Sequence, residues 1–132
     1  MATIIDSALK TTSIFPSMTV NDIQQSVKFY EGLGFAVEER WEENGVLQGV
    51  MLIAGDHRLG LSQDDWKKGR DRVKGTGMRI VIETKQNVDE IAARAKAAGI
   101  TLDSEPQDTP WKTRAFEVTD PTGFKLSITT ES

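Results

Sequence analysis

The sequence predicts an α+β fold made of two halves, each a strand, a helix and three further strands. A duplicated motif is the first ground. Asp22-Ile23, Val27, Tyr30, Gly34 and Phe35 recur at a constant offset as Asn87-Val88, Ala92, Ala95, Gly99 and Ile100. The second ground is the stretch after each copy: short runs rich in β-formers, parted by residues with turn chemistry. A repeat of this period is too long for a solenoid unit and suits two half-domains that share one site.

Residues 1 to about 12 carry no period and read as an arm or short helix. From Ile14 to Val20 the chain alternates. Ile14, Pro16, Met18 and Val20 lie on one face, and Phe15, Ser17 and Thr19 on the other. Pro16 suits an edge or a strand start. A helix comes next, with Asp22 and Gln25 as a capping box, Ile23, Val27 and Tyr30 as its apolar stripe, and Gly34 as its stop. Strands are expected at roughly 35–42, 46–54 and 57–62, with Asn44-Gly45 and Gly55-Asp56 between them. Module one therefore spans about 14–62, a charged connection about 63–75 and module two about 76–130, all within one domain. Module two repeats the order: a strand over about 76–84, a helix over 87–98 capped by Asn87 and Glu90, and strands near 100–104, 113–119 and 124–130. Asp120-Pro121-Thr122-Gly123 is the turn between the last two.

Composition narrows the function. A chain of 132 residues, 38% apolar, suits one ordinary core. Twenty acidic against sixteen basic residues give a net charge of −4, which opposes nucleic-acid binding. The absence of cysteine removes disulfides, thiolate nucleophiles and cysteine-bound zinc together. The N-terminus lacks the pattern of a signal peptide, and no apolar run is long enough to cross a bilayer. The expected setting is the cytoplasm, without membrane association.

Two stretches carry a resemblance. Val20-Asn21-Asp22, Phe29-Tyr30 and Gly32-Leu33-Gly34-Phe35, with Trp111, Arg114, Phe116, Val118 and Asp120-Pro121-Thr122-Gly123, resemble the vicinal oxygen chelate superfamily. That superfamily includes glyoxalase I, extradiol dioxygenases, fosfomycin-resistance transferases and bleomycin-resistance proteins. The resemblance covers residues 14 to 130 and implies two βαβββ modules whose mixed sheets curl into a cup around a small ligand. It also implies a homodimer. Enzymes of the superfamily seat a divalent metal on the first and last strands of each module. By resemblance those seats fall at Phe15, Gly60, Gly77 or Met78, and Ser127, none of which is a transition-metal ligand. The single histidine, His57, sits in a hairpin turn and reads as exposed. A magnesium or calcium site needs a clustered acidic loop, and none has the required spacing. No metal and no cofactor are expected.

Strand parity assigns the cup lining. Leu59, Leu61, Met78, Ile80, Ile82, Phe124, Leu126 and Ile128 are expected beneath the helices. Phe15, Ser17, Thr19, Arg58, Gly60, Ser62, Arg79, Val81, Glu83, Lys125 and Ser127 then face the cup, joined by Glu117. Arg79, Glu83, Glu117 and Lys125 fit either an internal ion-pair network or ligand recognition. By resemblance Trp111 overhangs the pocket and offers a flat face, whereas Trp41 reads as neutral and Trp66 as packing or a dimer contact. The basic run Lys67, Lys68, Arg70, Arg72 and Lys74 is broken by Asp64, Asp65 and Asp71 and reads as a solvated linker. Ser17, Ser62 and Ser127 have no histidine in reach, so serine-nucleophile chemistry is a poor fit.

The expectation is a metal-independent binding protein for a small planar or aromatic molecule. Phe15, Ser17, Arg58, Ser62, Arg79, Glu83, Trp111, Glu117, Lys125 and Ser127 are its candidate contacts. The competing reading is a glyoxalase-like lyase, isomerase or dioxygenase. It would use an atypical metal site or a buried general base at Glu83 or Glu117. A third is a dimeric interaction module whose cup is filled by its own side chains.

Overall fold

Local chemistry sets the helix limits. Asp22 accepts from the Gln25 N–H at 3.2 Å and Asn87 from the Glu90 N–H at 3.1 Å, satisfying N–H groups of each first turn. Gly34 closes the first helix at φ 115°, a left-handed conformation that a side chain resists, and the Phe35 N–H then returns to the Tyr30 carbonyl. The computed structural model describes residues 5–131; part of the expected N-terminal arm, residues 1–4, lies outside them.

The element order is β1 (Ser17–Val20), α1 (Ile23–Leu33), β2 (Ala36–Glu43), β3 (Val46–Ala54), β4 (His57–Gln63), β5 (Arg79–Thr84), α2 (Val88–Ala97), β6 (Ser104–Asp108), β7 (Arg114–Thr119) and β8 (Lys125–Thr130). Each half is a βαβββ module. The strands form two four-stranded mixed sheets, β1-β4-β3-β2 and β5-β8-β7-β6, and the first strand of each module runs parallel to the last. One face of each sheet is covered by its own helix. Met18, Val20, Val50, Leu52, Leu59 and Leu61 pack under α1, and Phe116, Val118, Leu126 and Ile128 under α2. The helices meet each other, so this apolar core runs through both modules.

Side-chain hydrogen bonds around Asp120 and its turn tie the halves together. The Tyr30 hydroxyl donates to Asp120 Oδ2 at 2.8 Å in a buried setting. Asp120 Oδ1 meanwhile accepts the N–H groups of Thr122, Gly123 and Phe124, which shapes the turn before β8. The Asn21 N–H reaches Thr122 Oγ1 at 3.0 Å. Burial, then the Asp120 charge and its hydrogen bond, push the Tyr30 phenol far above its ordinary range, so it remains a neutral donor.

Several expectations are corrected. β1 starts at Ser17 rather than Ile14, and Ile14 is exposed, because pairing begins only once Pro16 has passed its carbonyl to the Gly60 N–H. The strand expected near 100–104 is β6, which starts at Ser104. Ile100 and Leu102 pack against the core beforehand, while the Ile100 N–H closes α2 on the Ala95 carbonyl. Met78 is 44% exposed instead of lying under a helix, because β5 starts only at Arg79.

Candidate functional site

The uncovered sheet faces hold most of the expected contacts. In sheet one, register places Trp41, Gly49, Ser62 and Thr19 in one row across four strands. The neighbouring row contains Met51, Gly60 and Ser17. The Trp41 indole lies on Gly49: a Cβ built there would meet Trp41 Cε3 at 3.0 Å. Gly49 is buried beneath the ring, whereas Trp41 itself stays 48% exposed. Farther along, Arg58 grips Glu38 with two hydrogen bonds of 2.6 and 2.8 Å, which hold the Glu38 carboxyl below its usual range.

In sheet two the rows are Arg79, Lys125 and Thr119, then Val81, Ser127, Glu117 and Ser104. Arg79 Nη1 lies 2.7 Å from Glu117 Oε2, and Ser127 Oγ donates to the same oxygen at 3.1 Å. The structure thus brings Arg79, Glu117 and Ser127 together. Glu83 and Lys125 share the face, but neither joins an ion pair among the described residues. The foreseen four-charge network is therefore one pair with a hydroxyl.

The connection between modules is not a solvated linker. Asp64 is only 5% exposed and accepts from Arg72 and Lys74, each at 2.8 Å, and from the Trp66 N–H at 2.9 Å. Those partners, Lys74 first and Arg72 next, hold its carboxyl well below the usual carboxylate range. Lys74 also donates to the Asn21 side chain. Trp66 is in contact with two cations, Arg70 at 4.8 Å and Lys74 at 4.6 Å from the ring centre. Gly75 then crosses the β8 turn so closely that a Cβ there would meet the Gly123 carbonyl oxygen at 2.2 Å.

This anchored segment walls two open clefts beside β1. One, of about 450 Å³, is lined by Ser17, Thr19, Arg72, Lys74, Met78 and Phe124 among others. The other, of about 300 Å³, is lined by Thr19, Gln63, Asp64, Lys67, Lys68 and Arg72 among others. Of the expected contacts only Ser17 lines either of these two clefts. Phe15 is 42% exposed ahead of β1, and Trp111 is 68% exposed on the turn before β7. His57 is exposed at the start of β4.

Register also corrects the metal seats. Gly60 faces Ser17 across β1 and β4, and Ser127 faces Val81 across β5 and β8. Phe15 and Met78 both precede the strands that would have presented them. Two hydroxyls, an isopropyl group and a bare Cα do not suit a transition metal. Among the described residues no three His, Cys, Asp or Glu side chains cluster.

Trp41 reads as neutral in the sequence, yet it lies on the open face, because alternation fails in its strand. Counting in twos from the core-packed Val37 would bury Trp41, but a register shift between Val37 and Glu39 turns it to the open face. No residue pattern in 36–43 announces that shift.

Two helix-backed βαβββ modules, each with an uncovered sheet face, define a cup-forming class of protein. The chain belongs to the Glyoxalase/Bleomycin resistance protein/Dioxygenase superfamily, whose family profile matches residues 10–128. Solved structures of the same fold include TioX from Micromonospora, 21% identical with a TM-score of 0.76, covering 92% of this chain and 100% of that one. A superfamily member from Sphaerobacter thermophilus is 23% identical with a TM-score of 0.71, covering 92% and 98%. A glyoxalase-related enzyme from Fulvimarina pelagi is 18% identical with a TM-score of 0.72, covering 93% and 89%. Comparison with curated proteins gives no match. No helix among the described residues is long and apolar enough to cross a membrane.

Proposed function

We propose that this protein captures a small polar, planar molecule without a metal, as a homodimer in the cytoplasm. The observation carrying this reading is the chemistry of the opposed strand positions. Ser17 with Gly60, and Val81 with Ser127, offer no ligating set where enzymes of the superfamily would hold an ion. What remains on the open faces is suited to recognition: hydroxyls, a paired charge and an exposed indole. The cysteine-free sequence suits a reducing compartment.

The general-base alternative has little support. Glu117 is engaged by Arg79 and Ser127, and Glu83 is exposed, so neither is a desolvated base. Dimerisation is favoured because both cup faces of a single chain open to solvent: Val81 is 60% exposed and Trp41 48%. A second copy laid against them would close the cup and exclude water from a bound ligand.

The test is a titration of the purified protein with a panel of aromatic acids, alcohols and amines, followed by tryptophan fluorescence before and after chelator dialysis. Saturable quenching that survives dialysis is the expected result. One equivalent of tightly held metal with chelator-sensitive turnover would overturn the reading, as would silence across the panel.

A further inference from the structure

We propose that the row Trp41, Gly49, Ser62 and Thr19 is a graded binding shelf for a flat aromatic acid: ring on the indole, acid group in the basic notch beyond Thr19. The inference rests on the proposed binding function and adds the ligand class and the orientation.

Three independent features run in one direction. At one end Gly49 is the seat that lets the Trp41 indole rest against the sheet with nearly half the residue's surface free. A half-exposed indole fixed by the backbone beneath it is pre-organised for stacking, since its ordering cost is already met on folding. In the middle the floor carries only short side chains. Ser62 and Thr19 supply hydroxyls, both exposed, and no bulky group rises between them and Trp41 because Gly49 stands there. Three interstrand steps separate the Trp41 and Thr19 backbones, about 14 Å, and the ring shortens that span by leaning over Gly49. The shelf therefore takes an extended bicyclic frame rather than a single small ring.

The other end is cationic. Thr19 and Arg72 line both clefts, and Lys67 and Lys68 line the smaller one. Asp64 pairs with both Arg72 and Lys74, and Asp65 lies 4.0 Å from Lys67, so Lys67, Lys68, Arg72 and Lys74 face two carboxylates and a positive excess remains. In a chain of net charge −4 this local reversal of sign is where an anion would settle. The connection that supplies it is fixed by Asp64 and by the Gly75–Gly123 crossing, so Arg72 and Lys74 are held in place while Lys67 and Lys68 stay exposed.

Calorimetry with biphenyl-4-carboxylate, biphenyl-4-methanol and bicyclohexyl-4-carboxylate separates the parts. The acid should bind roughly tenfold or more tightly than either relative, the alcohol lacking charge and the bicyclohexyl acid lacking flatness. Trp41→Ala should weaken the acid by about tenfold, Trp41→Phe by less. The Lys67→Gln/Lys68→Gln pair, two exposed residues outside the core, should weaken the acid severalfold and leave the alcohol unchanged, and added salt should act likewise. Equal binding of acid and alcohol would overturn the anion notch, and unchanged binding to Trp41→Ala would overturn the aromatic end. If all three probes fail while another panel compound quenches fluorescence, this inference falls and the binding reading stands. If every compound fails, both fall.

Discussion

Tyr30→Phe removes one oxygen from the joint between the modules, and its cost can be worked out from the geometry. Tyr30 is fully buried, and its hydroxyl is the hydrogen-bond donor to Asp120 Oδ2, the other carboxylate oxygen being used by three backbone N–H groups. A hydrogen bond to a charged partner is worth about 1.5–3 kcal/mol, and the deleted oxygen leaves little cavity. At roughly 4 °C per kcal/mol for a chain of this size, the midpoint should fall by about 6–12 °C. Urea unfolding at neutral pH, followed by far-ultraviolet circular dichroism, measures the loss. A second readout uses the fact that Tyr30 is the sole tyrosine. Its phenol is raised in the folded state, so the unfolded chain loses this proton first. The stabilisation is fully present below the ordinary phenol value of 10.0 and declines as pH rises above it, by at most about 1.4 kcal/mol per pH unit. That part of the alkaline decline should disappear in Tyr30→Phe, while lysine contributions common to both proteins cancel. Tyrosinate absorbance should emerge only with unfolding. A variant within about 0.5 kcal/mol of the parent, or tyrosinate appearing near pH 10.0 in a folded protein, would refute the argument.

Three further outcomes are expected. Gly75→Ala combines a left-handed backbone at φ 84° with a Cβ 2.2 Å from the Gly123 oxygen, and should cost about 2–4 kcal/mol in urea unfolding. Asp64 has a depressed carboxyl in the folded state, so its contribution is present above the ordinary value of 3.8 and is lost as pH falls below it. Asp64→Asn should therefore be less stable at neutral pH and show a shallower acid decline in a pH-resolved melting series. Ser26 is completely buried in α1 with no partner for its hydroxyl among the described residues, so Ser26→Ala should be neutral or stabilising by up to about 1 kcal/mol, as read from the urea midpoint.

How much was legible in the sequence depends on the range of each interaction. Helix caps and stops were visible because Asp22, Asn87 and Gly34 act within a few residues of themselves. The covered sheet faces were visible because burial imposes a period of two on β7 and β8. The cup lining was legible only in part. Arg79, Glu117 and Ser127 obey parity and converge, whereas Trp41 sits beyond a register shift that parity cannot detect. The connection misled for another reason. An aspartate among lysines and arginines reads as solvated charge, and only the folded chain brings Arg72 and Lys74 back onto Asp64. The Tyr30–Asp120 bond was likewise hidden, since nothing local links residues so far apart in sequence.

The duplication explains why one scaffold can present two unlike walls. Each module must cover one sheet face with its helix, and that demand is met by the same kinds of residue in both: Leu61 and Val50 in the first, Leu126 and Val118 in the second. The open face carries no such demand, and there the modules differ. Sheet one presents an indole, two glycines and hydroxyls; sheet two presents Arg79 paired with Glu117, flanked by Lys125. Were the two kinds of face to meet across a pair of chains, each cup would have one stacking wall and one ionic wall. A planar ligand stacked on Trp41 with its acid group beyond Thr19 would then turn its other face to the ionic wall, which gives it a defined way up. The Arg79–Glu117 pair fits such a role better than a stabilising one. Both side chains are about two-fifths exposed, so solvent screens their attraction, and their fixed geometry matters more than their strength.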